Sequence, residues 1–94
     1  MTIQKLTNLI DRAKELKYWF DASDKNTIFQ SDFRHFYKTT KKNLDERDDV
    51  EAEELISRAE FNRQELDRIR DRTARARKFG ELQARIEYLE RILG

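Results

Sequence analysis

DVEAEELISRAEFNRQELDRIRDRTARARKFGELQARIEYLERIL, residues 49–93, contains no Pro, no Cys and one Gly, Gly80. Its apolar residues recur at helical spacing from end to end, which predicts helix throughout. Ala52, Leu55, Ala59, Asn62, Leu66, Ile69, Thr73 and Ala76 keep a strict four-three spacing. That is the pattern of a coiled-coil seam, here with small residues in it. Past Phe79 the phase slips by one residue, and Leu82, Ile86, Leu89 and Leu93 form a second seam, with Ile92 beside it. Unbroken, the helix would be about 66 Å long. Gly80 is the one position where it could end, behind Lys78 and Phe79. Glu81 and Leu82 are poor N-caps for a following helix, which favours continuity.

Charge is sorted along this segment. Residues 45–54 hold seven acids and one base, and residues 68–78 hold six bases and one acid. In a parallel pair of such helices, Arg58 would meet Arg63 and Arg72 would meet Arg77. In an antiparallel pair centred near Asn62, Glu51 would meet Arg72 and Arg58 would meet Glu65, each twice by symmetry. Exposed pairs contribute only about 0–1 kcal/mol each, but their summed sign distinguishes two orientations of similar packing. The expectation is an antiparallel homodimer whose interface holds Glu51, Leu55, Arg58, Asn62, Glu65, Leu66, Ile69 and Arg72, with Leu82, Ile86 and Leu89 at the tip. The competing reading is that the same seam receives the first half of its own chain.

That first half supplies the aromatic bulk. Tyr18, Trp19, Phe20, Phe29, Phe33, Phe36 and Tyr37 crowd one short region. Thr2 can cap a first helix, with Ile3, Leu6, Ile10, Ala13 and Phe20 along one face. Residues 21–26 (DASDKN) break it, because Asp, Ser and Asn favour turns. Thr27 and Gln30 have capping-box spacing, which starts a second helix near Ile28. Its buried face would be Phe29, Phe33, Phe36, Tyr37, Thr40 and Leu44. If Phe20 and Leu16 face the core, either Tyr18 or Trp19 sits near the surface. A second turn follows at residues 43–48, and Asp48 with Glu51 offers another capping pair. The fold class is therefore all-α: an N-terminal helical hairpin (2–43) packed on a long C-terminal helix (49–93) of coiled-coil character. That makes three helices, or four with a break at Gly80, in a single domain over residues 1–94.

Composition narrows the functional classes. The chain of 94 residues is 41% charged with a formal net charge of +1, which argues against a wholly basic nucleic-acid arm and against an acidic mimic of DNA. The absence of Cys gives neither disulfides nor thiolate metal sites, and a cytoplasmic setting is the natural expectation. No apolar run approaches the roughly 20 residues of a membrane span.

Residues 16–36 partly resemble an EF-hand: Asp21 and Ser23 stand at ligand positions, Ile28 at the aliphatic position and Phe33 at the following aromatic. Lys25 occupies another ligand position, Asn26 replaces the turn glycine and Asp32 the bidentate glutamate. Calcium needs six to eight oxygens, and an ammonium opposes it, so the stretch reads as a capped turn with no metal. The arginine-rich run contributes Arg68, Arg70, Arg72, Arg75, Arg77 and Lys78 as candidate phosphate contacts. They spread around the helix, and Asp71 interrupts them. His35, the single histidine, has no partner in sequence, and no acid–base–nucleophile set can be assembled. The sequence thus points to a non-enzymatic, cofactor-free protein–protein interaction module, an adaptor, assembly factor or regulator acting as a homodimer on another protein. The alternative is a nucleic-acid-associated regulator using residues 68–78.

Overall fold

The segment expected to be one long helix is two helices folded back on each other. The structure, a computed structural model, describes residues 2–94. It is all-α, with α1 (Ile3–Ala22), α2 (Gln30–Asp45), α3 (Ala52–Leu66) and α4 (Arg72–Leu93). The break falls at residues 67–71, and Gly80 lies inside α4. Local chemistry makes it without Pro or Gly. Leu66 and Ile69 carbonyls, left orphaned by the end of α3, accept from the Arg75 guanidinium at 2.7 and 2.9 Å. The Asp71 side chain caps α4, accepting from the Ala74 N–H at 2.9 Å. Folding back lets the apolar seam bury itself within one chain, where an extended rod would have left it in water.

The C-terminal helix α4 packs against all three others, and α3 also packs on α1. Both arms of the N-terminal hairpin rest on α4 rather than on each other. Ion pairs give the directions. Lys5–Glu53 (2.8 Å) and Arg12–Glu60 run α1 parallel to α3, while Lys78–Glu65 (3.3 Å) with Asn62–Glu81 (3.3 Å) runs α3 antiparallel to α4. Arg72 over Phe29, Arg77 over Phe36 and Arg91 bonded to Asp45 run α2 parallel to α4.

The core follows from this arrangement. Leu9, Leu16 and Phe20 of α1, Leu55, Ile56, Ala59 and Leu66 of α3, and Phe79, Leu82, Ile86 and Leu89 of α4 are buried together. Helix α2 is the exception, since only Leu44 of its residues is fully buried. Phe29 stays 40% exposed, while Phe33, Phe36, Tyr37 and Thr40 are half-buried, so the expected apolar face of α2 is only partly covered. The reason is that α2 has one neighbour. It meets α4 along Ala76, Gly80 and Ala84, three buried small residues at four-residue spacing. A Cβ built on Gly80 would lie 2.5 Å from the Phe33 carbonyl oxygen and 2.8 Å from the Tyr37 nitrogen. Gly80 is therefore the crossing point of two backbones.

Two capping pairs read from sequence do not form. Phe29 precedes α2 with no side-chain cap, Gln30 reaches the Lys25 carbonyl, and the Thr27 carbonyl accepts from Arg72 at 2.8 Å. Glu51, not Asp48, stands at the N-cap of α3, again without a side-chain bond. Thr2 does cap α1. In the 23–29 connection, where an EF-hand would offer oxygens to a metal, the Lys25 ammonium takes the Phe20 and Ser23 carbonyls.

Candidate interaction surfaces

The fold uses most of the expected dimer seam internally. Leu55, Asn62, Leu66, Leu82, Ile86 and Leu89 are buried inside one chain, and Ile69 is half-buried at the α3–α4 connection. A second copy cannot reach them, so the seam-to-seam antiparallel dimer is corrected. The charges meant to set its orientation have local partners too. Arg58 pairs with Glu54 at 3.4 Å, Glu65 pairs with Lys78, and Arg72 holds the Thr27 carbonyl. Glu51 remains exposed at the start of α3. Of the aromatic neighbours, Tyr18 is the exposed one, at 79%, and Trp19 stacks on Phe79.

The arginine-rich run is also largely committed. Arg75 caps α3, Arg72 ties down the α1–α2 connection and lies 4.4 Å over Phe29, Arg77 lies 5.0 Å over Phe36, and Lys78 pairs with Glu65. Arg68 and Arg70 are exposed without such contacts among the described residues. The six candidate phosphate contacts therefore do not form one free stripe.

What the fold assembles instead was not visible along the chain. Most cations of α1, α3 and the end of α4 are paired: Lys5, Arg12, Lys17, Arg58, Arg85 and Arg91 each contact a carboxylate, whereas Lys14 contacts none among the described residues and Arg63 lies over Trp19. Lys14, Lys25 and Arg63 apart, cations lacking such a contact among the described residues gather elsewhere. They are Arg34, Lys38 and Lys41 on α2, Arg68 and Arg70 on the connection, and Arg72, Arg75 and Arg77 at the start of α4. Arg34, Lys38 and Lys41 follow an i, i+4, i+7 stripe on α2. Parallel packing sets α2 beside α4, whose Arg72 and Arg77 lie over the partly exposed Phe29 and Phe36. This basic, aromatic face is one candidate site.

A second feature lies between α3 and α4. An open groove of about 450 Å³ is lined by Arg58, Phe61, Asn62, Lys78, Glu81 and Arg85, among others. Asn62 is a buried polar side chain inside the α3–α4 contact. It accepts from Arg85 and donates to Glu81, and Arg85 also pairs with Glu81 at 3.5 Å. Burial pushes the Arg85 guanidinium below its ordinary value, opposed by Glu81. Phe61 stands at the rim, 61% exposed in mid-helix. Sequence reading passed over it because it lies outside the seam, although Glu54, Arg58, Phe61 and Glu65 form a stripe of their own.

Besides Arg91–Asp45, helix α2 is fastened to α4 by the Tyr37 hydroxyl donating to the Glu87 carboxylate. That bond, with burial, pushes the Tyr37 pKa up to about 12 from 10.0. Between those values the folded chain holds a proton that the unfolded chain has lost, so stability falls as pH rises. The contribution is complete below pH 10 and gone above about 12. Denaturant titrations across this range should show that slope, and Tyr37→Phe should remove it. An unchanged slope in Tyr37→Phe would mean that the bond does not hold in solution.

The chain matches no protein-family model, no curated protein and no solved structure. No helix among the described residues is long and apolar enough to cross a membrane.

Proposed function

We propose that the chain is a non-enzymatic protein-interaction module, an adaptor or assembly factor whose partner presents an acidic surface to α2 and the start of α4. The observation that carries this reading is the segregation of ion pairs. Among the described residues, eight of the eleven cations without a carboxylate contact lie on α2, the 67–71 connection and the start of α4, where Phe29 and Phe36 are only partly covered. A partner carboxylate meeting one exposed cation gains only about 0–1 kcal/mol. Specific affinity would come from covering Phe29 and Phe36, with the cations guiding encounter and register.

Nucleic acid is the second reading. It is favoured by Arg68 and Arg70, which are free beside the Arg72–Phe29 stack. Arginine and aromatic faces together are what single strands use. One experiment separates the two. Binding is measured by fluorescence anisotropy for a labelled glutamate-rich amphipathic peptide and for a labelled single-stranded RNA, at low and moderate salt. The protein reading expects the peptide to bind, and Lys38→Glu with Lys41→Glu to weaken it by about tenfold or more. RNA binding with log K falling steeply in log salt, alongside an inert peptide, would transfer the function to nucleic acid. Failure of both probes to bind would remove the basic face as a site.

A further inference from the structure

We infer that α3 carries a self-association surface on which a second copy of this chain lies antiparallel across a two-fold axis near Phe61. It does not rest on the acidic-partner reading: it uses the opposite flank of α4 from α2 and shares only Arg68 with the basic face. The buried seam of α3 is Leu55, Ala59, Asn62 and Leu66, and it faces α4. Rotated off that seam is the stripe Glu54, Arg58, Phe61 and Glu65, continued at the same four-three spacing by Arg68 in the turn just past the end of α3. Arg58 is 63% exposed, Phe61 61% and Glu54 43%. A phenyl ring that exposed, in the middle of a helix and with charges before and after it, has no role in the intrachain core.

The charges on this stripe specify what covers the ring. In an antiparallel pair centred at Phe61, residues whose numbers sum to about 122 face each other. Arg58 then meets Glu65 of the second copy and Glu54 meets Arg68, each twice, while Phe61 packs on its own symmetry mate. The existing Arg58–Glu54 and Glu65–Lys78 pairs extend across the axis into one alternating ladder. A parallel two-fold pair would oppose Arg58 to Arg58 and Glu65 to Glu65, which disfavours it. The groove beside Phe61, with Asn62, Lys78, Glu81 and Arg85 along it, leaves room for the incoming ring. A stripe of one helix, about 22 Å long, covers less than a standard interface, so the association is weak and expected in the micromolar range or above.

The test is sedimentation equilibrium of the full chain from about 10 μM to about 1 mM, with circular dichroism confirming the fold of each variant. The wild-type chain is expected to dimerise with concentration. Phe61→Asp, and separately Phe61→Ser, should raise the dissociation constant about tenfold or more. Arg58→Glu and Glu65→Arg should each weaken the dimer, because each opposes like charges across the axis. Mixing chains carrying Arg58→Glu with chains carrying Glu65→Arg should restore a mixed dimer. A monomer at every concentration, or a dimer indifferent to Phe61→Asp, would overturn the proposal. So would two weakened variants that fail to rescue each other on mixing, since only the antiparallel register pairs Arg58 with Glu65.

Discussion

Gly80→Ala is expected to lower the stability of this chain, although the same change inside most helices raises it. An interior glycine costs a helix about 1 kcal/mol relative to alanine, and α4 would recover that amount. Against it stands the crossing with α2. The new methyl would sit 2.5 Å from the Phe33 carbonyl oxygen, 2.8 Å from the Tyr37 nitrogen and 3.3 Å from the Phe36 carbonyl carbon. All three are backbone atoms, so no rotamer change relieves the contact. Helix α2 must move outward as a unit, which also loosens its contacts at Ala76 and Ala84. Overpacking of this kind costs about 1–3 kcal/mol, sometimes more, and here it exceeds the gain in helix propensity. For a domain of this size each 1 kcal/mol shifts Tm by about 4–8 °C. Gly80→Leu should go further and detach α2, exposing Phe33 and the small-residue stripe. A Gly80→Ala chain that melts at or above the wild-type temperature would mean that the α2–α4 crossing is looser than the structure has it.

The same glycine shows what could be read from sequence. Periodicity identified helix over nearly every residue that is helical, because it depends only on local spacing. The turn near residues 23–29 was legible because DASDKN is poor helix sequence. The break at 67–71 was not, since DRIRD contains neither Gly nor Pro and continues the seam without a phase error. Asp71 caps α4 locally, but the other half of the cause needs the folded-back geometry: Arg75 reaches the Leu66 and Ile69 carbonyls only once α4 has turned around. Gly80 drew attention as a possible break, yet its role is close approach, a property of two elements and not of one. The candidate sites divide in the same way. The charge sorting at residues 45–54 and 68–78 was plain, but which cations keep a partner depends on pairings such as Lys5–Glu53 and Lys17–Glu90, between residues far apart in sequence. Phe61 was legible in principle. Reading the α3 stripe one position away from the seam would have found an apolar residue between opposite charges.

Phe79→Ala should have the largest effect of any single truncation, for a reason complementary to Gly80. Where Gly80 turns toward α2, Phe79 turns toward α1 and is 1% exposed. Its ring stacks on Trp19 at 6.0 Å, meets Phe20 edge-on at 5.9 Å and lies 5.5 Å beneath the Arg75 guanidinium. It therefore joins α1 to α4 at the same place where Arg75 secures the end of α3. Removing a buried phenyl costs about 3–5 kcal/mol, against a total of about 5–15 kcal/mol for an ordinary domain. The variant should be barely folded at room temperature, and Phe79→Leu, which keeps most of the volume, should lose much less. Trp19, the only tryptophan in the chain, reports the difference directly. Its emission should shift to the red in the native state of Phe79→Ala, as water replaces the stacked ring, and stay in place in Gly80→Ala, where the damage is on the α2 side. If Phe79→Ala costs less than about 1 kcal/mol and leaves the Trp19 emission unmoved, α1 is not anchored through this aromatic cluster. The parallel docking of α1 on α3 would then rest on Lys5–Glu53 and Arg12–Glu60, partly exposed pairs too weak to hold a helix by themselves.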